Sequence, residues 1–164
     1  MLGRKDRLGA AFTAVAALVA VSASLAIAAE TSRDEYKAAV EPICKANTKA
    51  NERILKGVRS EVRKGELKPA ARQFAAAARA LKKTRGELAA VPQPAADKAR
   101  LSKWLGYIKA EVKLFEATAR ELKAGNKFAA ERMAVLLTRE AERANNEVVG
   151  FEFNYCHGEP SKFT

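Results

Sequence analysis

Between residues 32 and 150, apolar side chains recur at steps of three and four, which places them on one face of a helix. No stretch there alternates in the manner of a half-buried strand. Breakers cut the pattern at Gly65 with Pro69, at Val91-Pro-Gln-Pro94 and at Gly125-Asn126, leaving four helical segments. The first opens on a capping box, in which Ser32 accepts from the backbone of Glu35 and Glu35 reaches back to Ser32. Its stripe runs Tyr36, Val40, Ile43, Ala50, Ile54, Val58, and Gly65 supplies a stop. Pro42 removes one helical hydrogen bond, so a kink or a restart is expected there.

The second segment starts with Pro69 in its first turn, where proline is tolerated, and its stripe is Phe74, Ala78, Leu81, Leu88, Val91. The third has the clearest period: Leu101, Leu105, Ile108, Val112, Phe115, Ala119, Leu122, with Trp104 at its flank. The fourth runs from about Asn126 through Ala130, Met133, Leu137, Ala141, Ala144 and Val148. Phe151 and Tyr155 continue that stripe, which extends the helix through Gly150 towards Cys156. A short extended strand over Phe151, Phe153 and Tyr155 is the competing reading. Connections this short make consecutive helices antiparallel. The fold expected is therefore all-α, an up-down-up-down four-helix bundle whose first helix is kinked at Pro42.

Composition bounds the rest. The 164 residues suit one domain. Residues 1–28 differ from the remainder of the chain: Arg4, Lys5 and Arg7, then an apolar run from Leu8 to Val21, then Ala26-Ile27-Ala28. A basic start, an apolar middle and a small-residue site make a signal peptide, with cleavage expected after Ala28 and a secreted domain over residues 29–164. An uncleaved N-terminal anchor is the alternative, since the run approaches the ~20 residues that span a bilayer. No other segment is apolar enough to cross a membrane. Loss of the leader removes three basic side chains and one acidic one, so the net charge falls from +11 to +9. Outside the reducing cytoplasm, the two cysteines, Cys44 and Cys156, are expected to pair. In the bundle they join the start of helix one to the end of helix four, closing a loop of about 113 residues.

Candidate chemistry is sparse. His157 is the only histidine, so neither a Glu-x-x-His di-iron site nor a two-histidine zinc site can be built, and no metal or cofactor is expected. A triad would need His157 as its base beside a bridged Cys156, which argues against an enzyme. Phe153-Asn-Tyr-Cys156-His157 looks like a haem-attachment motif lacking its first cysteine, so a haem- or ligand-binding, cytochrome-like exported bundle is the alternative function. A basic row, Lys45, Lys49, Arg53, Lys56, Arg59 and Arg63, falls within about 120° of arc nearly opposite the apolar stripe. It could track an acidic envelope polymer or an acidic protein partner. Glu41 and Glu52 precede Lys45 and Lys56 by four, the spacing of solvated ion pairs, which favours a plain surface. The row has no interleaved aromatics, which argues against nucleic acid.

Asn47 and Asn51 project from the apolar side of helix one, and Asn145 and Asn146 sit on helix four. Antiparallel pairing about the cysteines makes facing positions sum to about 200, so Asn51 meets residue 149, about one turn from Asn145. A buried polar layer that sets helix register is the expected role, with a polar ligand pocket as its alternative. Glu61 also lies on the inward side.

Tyr36-Lys-Ala-Ala-Val-Glu-Pro-Ile-Cys44-Lys-Ala-Asn47, then Val91-Pro-Gln-Pro94, then Ala144-Asn-Asn146 through Phe151 to Cys156, resembles small exported all-helical two-cysteine proteins of high-GC actinobacteria. The resemblance covers most of the chain after the leader. It implies export and a two-cysteine helical bundle, and it supplies no site. From the sequence, the function expected is a non-catalytic binding or structural role in the cell envelope or outside the cell.

Overall fold

The computed structural model describes residues 30–159; the expected leader lies outside them. The described chain is a helical bundle of four long helices and one short one, with no strand among the described residues. They are α1 (Arg33–Ile54), α2 (Val58–Lys64), α3 (Leu67–Ala90), α4 (Lys98–Lys123) and α5 (Lys127–Val148). The capping box forms as expected, with Ser32 Oγ accepting from Glu35 N–H at 3.2 Å and the Glu35 carboxylate accepting from Ser32 N–H at 2.8 Å.

Helix α4 packs against both α3 and α5, while α1 and α2 pack against α3. The side chains at the centre are those of the stripes: Leu101, Leu105, Ile108, Val112, Phe115 and Leu122 from α4, Phe74, Leu81 and Leu88 from α3, and Leu137 and Val148 from α5. Full burial of each large one contributes roughly 1.5–3 kcal/mol. Trp104, at the flank of its stripe in the sequence, is 1 % exposed. At one end Asp97 is buried and held by Arg33, whose Nε and Nη2 donate to its two oxygens at 2.5 and 2.6 Å. That guanidinium keeps the Asp97 carboxyl below its ordinary range.

Three expectations need correction. The first helix does not restart at Pro42: α1 runs through it, and the break comes at Leu55–Gly57. Ala38, whose carbonyl loses its partner to Pro42, lies exposed, so water can take the place of the missing donor. Gly57 at φ 84° turns the chain, a left-handed conformation that glycine adopts without a Cβ penalty. Second, α5 stops at Val148 rather than continuing towards Cys156. A 3₁₀ turn at Val149–Phe151 and a left-handed Glu152 (φ 51°) reverse the chain. The reversal puts Phe151 edge-on to Tyr36, ring centroids 6.1 Å apart, and leaves Tyr155 on the surface.

The third correction concerns the cysteines. Cys44 and Cys156 are paired at disulfide distance, with sulfurs 2.02 Å and Cα atoms 5.0 Å apart. They do not mark the start of one helix and the end of another. Cys44 lies midway along α1, and Cys156 lies beyond α5 in the returning segment. The bridge therefore ties a C-terminal strap, residues 152–159, across the middle of α1.

Candidate functional site

The strap is anchored at three places. The Glu41 carboxylate accepts the backbone N–H of Asn154 and, at 3.1 Å, that of Tyr155. Cys156 is bridged to Cys44. Asn145 clamps Gly158 from both sides, donating to its carbonyl at 2.9 Å and accepting its N–H at 2.8 Å. Lys45 adds its ammonium over the Tyr155 ring, 4.9 Å from the centroid. Glu41 is thus a backbone acceptor for the strap, in place of the expected pair with Lys45.

Beneath the strap is a cavity of about 110 Å³ between α1, α3, α4 and α5. Its apolar wall is Leu81 of α3 with Trp104, Ile108 and Phe115 of α4. Its polar wall is Asn47 and Asn51 of α1, Thr84 of α3 and Asn145 of α5, and His157 and Glu159 of the strap also line it. Thr84 is buried, and its hydroxyl donates to Asn47 Oδ1 at 3.2 Å. Asn51 Oδ1 is buried and finds no hydrogen-bond partner among the described residues.

Glu111 is the decisive residue. It lines the cavity from α4, is 7 % exposed, and has neither a hydrogen bond nor a counter-charge among the described residues. Burial, with a smaller contribution from the Glu140 carboxylate, pushes its carboxyl up to about 8. Glu140 is itself paired with Arg143 at 2.8 Å. An uncompensated carboxyl in a helical core costs stability, and such groups concentrate where a protein binds or reacts.

The residues singled out in the sequence are brought together only in part. Asn47, Asn51 and Asn145 all line the cavity, but Asn146 is exposed and lies outside it. Asn47 meets Thr84 of α3 rather than an asparagine of α5, because the inner side of α1 packs on α3. The six cations of the basic row are all exposed, yet they do not form one helical row. Lys45, Lys49 and Arg53 stand on α1, Lys56 is in the turn, and Arg59 and Arg63 stand on α2 beyond Gly57. Arg59 and Arg63 line a separate apolar groove with Val58 and Phe74. Glu61 is half-buried; its Oε1 receives Gln73 Nε2 at 3.4 Å, and its Oε2 has no hydrogen-bond partner among the described residues. His157 is exposed at the cavity rim, and the Cys156 sulfur beside it is committed to Cys44.

Sequence reasoning missed Glu111 and Thr84, although Glu111 was legible there. Trp104, Ile108, Glu111, Phe115, Thr118 and Leu122 step by four and three along α4, so the carboxylate interrupts a core stripe. Among the described residues no cluster of three or more His, Cys, Asp or Glu could hold a metal ion, and no helix is long and apolar enough to cross a membrane. No family model matches the chain, and no match was found among the curated proteins or the solved structures.

Proposed function

We propose that the protein is an exported, non-catalytic binding module, an up-down-up-down bundle that holds a small polar ligand in the cavity beneath its C-terminal strap. The observation that carries this reading is Glu111, a carboxyl buried without a partner on the cavity wall. A helical core gains nothing by keeping such a group, and apolar replacement at the site would stabilise it. A ligand that satisfies the carboxyl gives the position a purpose. Asn51 supports the same reading, because its buried Oδ1 is a second acceptor without a donor.

Export is supported by the basic-then-apolar leader, the paired cysteines and the resemblance to small exported two-cysteine bundles. Intact-mass measurement should find an N-terminus near Ala29; retention of residues 1–28 in a membrane fraction would favour the anchor. Binding rather than catalysis is supported by the scarcity of catalytic groups: the one histidine, His157, is exposed, and the Cys156 sulfur beside it is committed to the disulfide. The test of binding is a nuclear magnetic resonance titration of the mature, oxidised protein. A set of small cationic, neutral and anionic molecules should include members that shift Thr84, Trp104, Asn145 and the strap together. If no member moves those resonances, the cavity is not a binding site.

A further inference from the structure

The chemistry of the cavity wall selects its ligand, and we infer that it takes a small organic ammonium ion with the Glu111 carboxylate as counter-ion. This rests on the cavity being the binding site; at neutral pH Glu111 is protonated in the empty cavity and releases its proton to solvent as the ammonium enters. Among the described residues, the acceptors on the wall without a hydrogen-bond partner are Asn51 Oδ1 and the Glu111 carboxyl. Asn47 Oδ1, which receives the Thr84 hydroxyl, retains a second lone pair. An ammonium presents three donors and no acceptor, which is the complement of that set.

Charge points the same way. The lining residues include three carboxylates, Glu52, Glu111 and Glu159, and no lysine or arginine. Glu111 is the one buried carboxyl among them, Glu52 and Glu159 being exposed. An anion would find no cationic lysine or arginine on the wall to pair with. A metal ion is disfavoured because no cluster of three or more ligating side chains exists among the described residues. Trp104 and Phe115 offer aromatic surface to a cation or its alkyl group. A volume of about 110 Å³ suits a small ligand.

The experiment uses the oxidised mature chain and n-propylammonium, with propionamide, propionate and potassium as comparators at constant ionic strength. Trp104 is the only tryptophan and lines the cavity, so its fluorescence reports entry. Propylammonium should give a saturable change, Glu111→Gln should weaken it at least tenfold, and propionamide should bind both proteins alike. Asn51→Leu, which leaves the carboxylate in place, should weaken propylammonium by a smaller factor. Tighter binding of propionamide or propionate than of propylammonium would overturn the ammonium assignment while leaving the cavity as a site. Potassium competing as well as propylammonium would overturn the organic class. Unchanged propylammonium affinity in a folded Glu111→Gln protein would overturn Glu111 as counter-ion. If no probe changes Trp104 fluorescence, the ammonium inference fails, while the binding reading stands or falls on the magnetic resonance titration.

Discussion

Replacing Glu111 by glutamine removes a titrating proton from the core with almost no change of shape, and it should stabilise the protein at neutral pH. An ordinary glutamate titrates near 4.5, whereas burial holds Glu111 at about 8. Below pH 4.5 both folded and unfolded chains keep the proton, and the group costs nothing. Between 4.5 and 8 the folded chain retains a proton that the unfolded chain has released, so stability falls as pH rises. Above 8 both states are ionised and the penalty is constant. At about 1.4 kcal/mol per pH unit, the loss is roughly 3 kcal/mol at pH 7 and approaches 5 kcal/mol above pH 8. Glutamine carries no such penalty. For two-state unfolding of a chain this size, 3 kcal/mol is a rise of roughly 10 °C in Tm. Urea denaturation of parent and Glu111→Gln at pH 4, 7 and 8.5, followed by circular dichroism, measures the difference directly. The curves should coincide at pH 4 and separate steadily above it. A variant no more stable than the parent at pH 7, with the parent's pH dependence intact, would refute the account of Glu111 as an uncompensated buried carboxyl.

The strap and the turns carry further consequences. Thiol titration of denatured, unreduced protein should detect no free thiol, and two after reduction; replacing both cysteines by serine should cost up to about 5 kcal/mol, read by urea denaturation. Glu41→Ala leaves the Asn154 and Tyr155 amides without their acceptor, and should cost about 1–3 kcal/mol while speeding amide exchange across residues 152–158. Gly57→Ala forces a Cβ into a left-handed turn at φ 84° and should destabilise by about 1–2 kcal/mol, with no neighbour close enough to add a clash; thermal denaturation measures the loss.

The period of the stripes determined the helices, because a three-and-four spacing buries well only on a helix. That is why Leu101 to Leu122 of α4 could be assigned from spacing alone, and why Ser32 and Glu35 marked the start of α1. The cysteine pair was legible for a different reason: two thiols expected outside the reducing cytoplasm have only each other. What the sequence could not supply was the path of the chain where local signals compete. Pro42 is the stronger breaker in isolation, yet α1 passes it with Ala38 on the exposed face and yields at Gly57. Phe151 fits the stripe of α5, but the chain turns there and sets it against Tyr36, a residue more than a hundred positions away. The wheel also drew six cations as one row, since it has no means of knowing that the helix ends between Arg53 and Arg59. The cavity belongs wholly to this second class. Asn51, Thr84, Glu111 and Asn145 lie on four helices, and no local pattern joins them. Packing of α1 on α3, and a strap drawn over them by Cys156, placed them around one space. Periodicity fixes which face of a helix turns inward; only the packing of one face against another decides which polar groups left inside will meet.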